Sequence, residues 1–86
     1  MADEIHQVLV LSTAHLKRET AKLIDDETYE CAFARSDGWI FYVGDRRSDA
    51  PEELEEALSY ARARNCVWLM FDADGPVNPG LPTWEW

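Results

Sequence analysis

The chain has 86 residues, of which 47% are hydrophobic and 12% aromatic, and its formal charge is −9. This length suits one domain with a modest core, and the aromatic content indicates an ordered chain. The excess of acid excludes unassisted binding to nucleic acid or anionic membranes, because both depend on basic patches.

Localisation signals are missing from the sequence. No segment approaches the roughly 18 consecutive apolar residues of a membrane span, and the N-terminal MADEIHQ lacks the basic and apolar regions of a targeting peptide. We therefore expect a single domain over residues 1–86 in the cytoplasm. Partners with basic surfaces are favoured electrostatically, although acidity also serves solubility alone.

The first predicted elements are a strand and a short helix. Residues 5–12 contain the unbroken apolar run VLVL, which is typical of a central strand buried on both faces. Leu16, Leu23 and Ile24 then recur at helical spacing, which predicts an amphipathic helix over residues 17–26.

A hairpin follows. Residues 29–35 and 39–44 flank the Asp-Gly pair at 37–38, and Asp-Gly between two β-rich runs favours a type I′ turn, which needs positive φ at both central positions. With this pair at the centre of the turn, Ala34 would lie opposite Phe41. The second strand is apolar on both sides and would be central, whereas the first would lie at an edge.

The segment from residue 50 to 64 is the clearest helix. Its apolar side chains fall on one face: Leu54, Ala57, Leu58 and Ala61. Asp49 and Glu52 have the spacing of a capping box. Glutamates early in the segment and arginines late in it complement the helix macrodipole. Residues 66–71, CVWLMF, then predict a last strand.

The predicted order β-α-β-β-α-β is that of the ferredoxin-like split βαβ fold, an α+β class. Right-handed crossovers place both helices on one face of an antiparallel sheet with strand order 4-1-3-2. Because three strands look apolar on both sides, the other face needs a cover. The proline-rich tail, residues 75–86, would supply it through Leu81, Trp84 and Trp86; the alternative is a second chain packed face to face.

This topology also gathers polar side chains at one end of the sheet. The predicted cluster consists of His6, Arg46, Arg47, Asp72 and Asp74. It would form a binding or catalytic site or, alternatively, an ion-paired turn that positions the tail. His15 would lie at the opposite end from both aspartates, which excludes a site that combines these three residues.

Signals for catalysis and cofactors are missing. The sequence contains no Gly-rich phosphate loop, nucleophile elbow or HExxH motif. Cys31 and Cys66 lack metal or redox spacing and would be unpaired, since the predicted strand order puts them at opposite edges. The DADG at 72–75 lacks the later glutamate of a calcium loop. We therefore expect no catalytic residue, no cofactor and no metal ion.

Two stretches carry a resemblance to a known family, STAHLKRETAKLID and ARNCVWLMFDADGPVNPGLPTWEW. They contain a TAHL-like turn before a short helix and an FDxDG-like turn followed by an LPT-aromatic-x-Trp ending. In these features the chain resembles a family of small proteins of unassigned function from chromosomes, plasmids and phages of proteobacteria. The resemblance implies no catalytic residue. It implies a mobile-element setting, in which small acidic inhibitors and accessory regulators are common.

Two classes of function remain. The first is a protein-interaction module, an inhibitor or accessory regulator that docks on a basic protein surface through its acidic helix face or exposed aromatic residues. The candidate contacts are Glu52, Glu53, Glu55, Glu56, Trp84 and Trp86. The alternative is a small enzyme or ligand-binding protein that uses the predicted polar cluster. Direct contact with nucleic acid or membrane is not expected, and the chain would be a monomer or a homodimer.

Overall fold

The structure is a computed structural model and describes residues 3–26, 31–46 and 48–85. Its strands are β1 (Val8–Ser12), β2 (Phe33–Arg35), β3 (Gly38–Tyr42) and β4 (Trp68–Asp72). Its helices are α1 (Arg18–Asp25) and α2 (Glu52–Ala63), and a 3-10 turn spans Thr13–His15. The α+β class and the order of elements agree with the sequence prediction.

The strand order is β1-β4-β3-β2, so the predicted order 4-1-3-2 is wrong in the places of the first and last strands. β4 is central, parallel to β1 and antiparallel to β3, and Ser12 pairs with Asp72. β1 and β4 both have the apolar composition of a central strand, so composition does not show which of the two is central. The tail explains why an edge strand can look central: the backbone N–H of Ser12 donates to the carbonyl of Pro76 over 2.8 Å, which satisfies part of the edge of β1.

The helices begin and end for different local reasons. α2 follows Pro51 and makes no side-chain cap hydrogen bond, so the predicted capping box is not formed. It ends before Asn65, whose φ of 59° is one that asparagine tolerates better than most residues. α1 has no cap from its own sequence either; the backbone N–H of Lys17 donates instead to Glu53 of α2 over 3.2 Å.

The hairpin is confirmed, but its turn lies one residue earlier than predicted. Ala34 pairs with Trp39 rather than with Phe41, so Ser36 and Asp37 form the turn. Gly38 instead lies within β3, where an added Cβ would overlap the backbone carbonyl of Phe71 on β4. The glycine is therefore needed for close strand pairing and not for the turn.

One face of the sheet and both helices enclose the core. The sheet contributes Leu11, Trp39, Phe41, Leu69 and Phe71, and the helices contribute Ala21, Ile24, Leu54, Ala57, Leu58 and Ala61. Phe41 and Phe71 meet edge to face, with ring centroids 5.9 Å apart. Within the described residues, no helix has the length and apolar character needed to cross a membrane.

The opposite surface of the sheet, which we call the open sheet face, carries the alternate residues of the strands. Its apolar side chains are Val8, Val10, Phe33, Ile40, Tyr42, Trp68 and Met70. Phe33 is 59% exposed, Tyr42 54% and Val8 45%. The prediction that the tail covers this face is therefore wrong for the described residues.

The tail lies on the helix side of the molecule instead. Leu81 packs against the core, and the backbone N–H of Trp84 donates to the carbonyl of Ala14 over 2.8 Å. Trp86, the other predicted anchor, lies outside the described residues.

Cys31 and Cys66 are not joined in a disulfide, as predicted, but the reason given for it was wrong. Cys31 precedes β2 and Cys66 precedes β4, and these strands are separated only by β3 rather than by the whole sheet.

Candidate functional site

The predicted polar cluster does not form. Because β1 and β4 are parallel, His6 before β1 lies at the opposite end of the sheet from Asp72 and Asp74. Arg46 follows β3, which is antiparallel to β4, so it too lies away from the aspartates. His6 is instead paired with Glu4, with 3.7 Å between Nε2 and Oε1. Arg47 lies outside the described residues.

Asp72 and Asp74 have a different acidic neighbour, Asp37 from the hairpin turn. The three side chains can each offer a ligand oxygen within 4.8 Å of the others, an arrangement able to hold a cation. Internal partners already offset some of this charge: the backbone N–H of Asp74 donates to Asp72 over 2.8 Å, and Arg35 Nε lies 3.6 Å from Asp37. Sequence analysis missed Asp37 because its place beside β4 depends on the strand order.

The parallel pairing also brings His15 to the same end as these aspartates, contrary to prediction. His15 is only 2% exposed, and the tail occupies both ring nitrogens. Its Nε2 accepts from the backbone N–H of Asn78, so Nδ1 carries the proton and donates to the carbonyl of Pro82, both over 2.8 Å. His15 is therefore a structural residue that holds the tail.

The four glutamates at the start of α2 have different environments. Glu53 is 5% exposed and accepts from the hydroxyl of Thr20 and the backbone of Lys17, so its prediction as a surface contact is wrong. Its position four residues before Ala57, on the buried side of α2, was the sequence signal that could have identified it. Glu55 is partly buried and lies 3.4 Å from Arg62.

Glu52 and Glu56 remain exposed, and the structure brings them to Trp84. Together they border a cavity of about 210 Å³ between α2 and the tail, which we call the acid–tryptophan groove. Its lining residues are Lys17, Glu52, Glu53, Glu56, Pro82 and Trp84. The ammonium of Lys17 lies 5.5 Å from the centroid of the Trp84 ring, a cation–π distance.

A second, more open depression adjoins the same glutamates. It has a volume of about 690 Å³ and is lined by Arg46, Ser48, Ala50, Glu52, Glu55, Glu56 and Ser59. Arg46, expected beside the aspartates, thus lies beside the acids of α2. Glu52 and Glu56 line both depressions.

The fold and the groove define a class: a small two-layer α+β domain with a four-stranded mixed sheet and an acidic groove that contains an aromatic ring. Residues 8–86 match a family described as "Family of unknown function (DUF5983) C-terminal domain", and the chain belongs to this family. No curated protein and no solved structure matches the chain significantly.

Proposed function

We propose that this protein is an interaction module that docks on a basic surface of a partner protein through the acid–tryptophan groove. The observation that carries the proposal is the meeting of Trp84 with two exposed glutamates, Glu52 and Glu56, around one cavity. Sequence reasoning selected these three residues separately, from two segments far apart in the chain. The proposed role is non-enzymatic.

The chemistry of the groove suits a lysine or arginine side chain. Carboxylates attract the charged group, while the indole face and Pro82 offer an apolar surface for the aliphatic part of the chain. The groove is also framed by α2, which carries four glutamates and one arginine in its 12 residues. The acids of α2 therefore attract a basic surface toward the acid–tryptophan groove, and the groove itself fits a lysine or arginine side chain.

Lys17 supports this assignment because a cation of the chain itself already lies near Trp84. An incoming lysine or arginine would compete with Lys17 for the ring or would use the other side of the indole. Lys17 would therefore act as an internal competitor, and its removal should strengthen the binding of basic partners.

The biological setting we propose is that of an inhibitor or accessory regulator in the cytoplasm, of mobile-element origin. The acidic character of the chain and the sequence resemblance to plasmid and phage proteins support this proposal. A basic partner, such as a protein that holds nucleic acid, would fit the charge of the groove.

The test uses a nine-residue arginine peptide as the probe and calorimetric titration at two salt concentrations. We expect Trp84→Leu to weaken binding about fivefold, since a cation–π contact contributes about 1 kcal/mol. We expect Lys17→Met to strengthen it. Higher salt should weaken binding for every variant.

A charge-matched control separates the groove from the overall acidity. The double variant Glu52→Gln/Glu56→Gln and the control Asp3→Asn/Glu4→Gln both lose two charges, but the control residues lie before β1, at the other end of the strand that leads to the groove. Equal weakening by both doubles, together with no effect of Trp84→Leu, would show that the peptide senses only net charge and would refute the groove.

A further inference from the structure

A further cavity adjoins the acid–tryptophan groove at Trp84, and the proposed function does not use it. It has a volume of about 300 Å³ and is lined by Ser12, Thr13, Ala14, Ala73 and Trp84. We call it the hydroxyl cavity, because Ser12 and Thr13 bring hydroxyl groups to it. Trp84 lines both this cavity and the groove, which places the two beside each other.

Ala73 connects the hydroxyl cavity to the three aspartates at this end of the sheet. It lies between Asp72 and Asp74 in the chain, and its backbone N–H donates to the carbonyl of Asp37 over 2.8 Å. Among the described residues, one cation forms an ion pair with these carboxylates, Arg35 at 3.6 Å from Asp37. A net negative charge therefore remains beside the cavity and would attract an incoming cation.

We propose that the docking segment of the partner protein carries two basic side chains, one for the acid–tryptophan groove and one for the hydroxyl cavity. This inference rests on the proposed function, because the first side chain occupies the groove already described. Acids lie near both cavities: Glu52 and Glu56 line the groove, and the aspartates flank Ala73. Trp84 offers apolar surface to the aliphatic part of both basic side chains.

The hydroxyl cavity favours arginine as the second basic residue. A guanidinium has five N–H donors in a planar fork and no acceptor, so it needs several acceptor oxygens. Ser12 Oγ already accepts from the backbone N–H of Ala14 over 3.1 Å, and a hydroxyl oxygen can accept a second time. Thr13 supplies another hydroxyl oxygen. Trp84 adds an indole, the side chain that binds cations best through its ring.

The shared tryptophan sets the spacing of the two basic residues. A cation binds an aromatic ring within about 6 Å of its centroid. In an extended chain, alternate side chains point to the same side and lie about 7 Å apart. Side chains with one residue between them can therefore reach two cavities that border one tryptophan. We expect the sequence Arg-x-Arg in an extended conformation.

Titration of short peptides into isotope-labelled protein, followed by NMR, tests the proposal and can measure weak binding. The two probes are capped peptides of equal length, GRGGG with one arginine and GRGRG with two. We expect the second arginine to increase the affinity of the wild type. Ala73→Leu fills the hydroxyl cavity at an exposed position without a change of charge, and should reduce the ratio of the two affinities about fivefold. The matched control is Ala63→Leu at an exposed position on α2, which should keep the wild-type ratio.

Two results would overturn the proposal. Equal affinities of the two peptides for the wild type would show that the docking segment makes one basic contact. An unchanged ratio in Ala73→Leu would show that the second arginine gains only from net charge. If the NMR spectrum shows that Ala73→Leu does not fold, Asp74→Asn replaces it, with Asp3→Asn before β1 as the charge-matched control. An equal decrease of the ratio in these two variants would likewise refute the cavity.

The one-arginine peptide separates this inference from the proposed function. If its binding is absent or does not respond to Trp84→Leu, the groove itself is refuted, and the second contact with it. If its binding depends on Trp84 but a second arginine adds nothing, only the hydroxyl cavity is refuted.

Discussion

His15 holds the C-terminal tail through both nitrogens of its imidazole ring. The ring is buried, and its two partners are backbone groups of Asn78 and Pro82, more than 60 residues away in the chain. A neutral histidine can donate from one nitrogen and accept at the other, which few side chains of this shape can do. His15 therefore fixes the path of the tail between Asn78 and Pro82, two residues before Trp84.

Replacing His15 by phenylalanine should destabilise the protein. His15→Phe keeps an aromatic ring but leaves one donor and one acceptor of the tail without partners, and we expect a loss of about 2–4 kcal/mol in the free energy of unfolding. Urea denaturation measures it. The control is His6→Phe at an exposed site, for which we expect no comparable loss. Equal urea midpoints for the two variants would contradict the role of His15.

Gly38 is a second single residue on which the fold depends, because its position has no room for a side chain. In Gly38→Ala the new methyl group would overlap the carbonyl of Phe71, so the two inner strands β3 and β4 would have to separate where Gly38 pairs with Asp72. We expect a loss of about 2–4 kcal/mol in thermal or urea unfolding. In the control Gly80→Ala the nearest atoms are ends of flexible side chains, Asn78 Oδ1 at 3.2 Å and Tyr60 Cε2 at 3.7 Å, and stability should change little. A mild effect of Gly38→Ala would mean that the two strands can move apart cheaply.

At the scale of elements, the tail functions as a covering layer although it has no regular secondary structure. It accepts a hydrogen bond from the backbone of Ser12 at the edge of β1, donates one hydrogen bond to His15 and accepts another from it, and packs Leu81 on the core. It also forms one wall of the acid–tryptophan groove through Pro82 and Trp84. Stability and the candidate site thus depend on the same segment.

Truncation after Gly75 should therefore unfold or aggregate the protein. The shortened chain would lose the apolar contact of Leu81 and would expose or leave unpaired the ring of His15, a cost of several kcal/mol in a domain with little stability to spare. Circular dichroism and light scattering measure the outcome. Val77→Ser, at a 59% exposed tail position, is the control and should fold normally. A truncated monomer with an unchanged melting temperature would show that the tail is peripheral.

In the whole molecule, the helix layer and the sheet layer present two different kinds of surface. The helix side, with α2 and the tail, carries the glutamates of α2 and the groove, and the sheet side carries the rings of Phe33, Tyr42 and Trp68.

Individual residues of the candidate site could be predicted from the sequence, but their meeting in one groove could not. The acids of α2 and the aromatic residues of the tail were visible as local features of composition. Their meeting depends on the 3-10 turn at Thr13–His15, and the role of His15 has no local signature because its partners are distant backbone groups. The prediction of the polar cluster was wrong because it too depended on the tertiary structure. Its members would meet only in a strand order that the molecule does not have.

The sequence by itself determined the type and order of the elements, because helical and strand periodicities, short polar segments between β-rich runs and the apolar stripe of α2 are local properties. It also determined that the third strand is central and the second an edge. Only the tertiary structure decided whether the first or the last strand takes the central place, since both are apolar on two sides and either order places one side of each strand against the helices. The path of the tail followed from that choice: with β1 at the edge, the tail could satisfy its backbone and cover the helix side, and the open sheet face was left exposed.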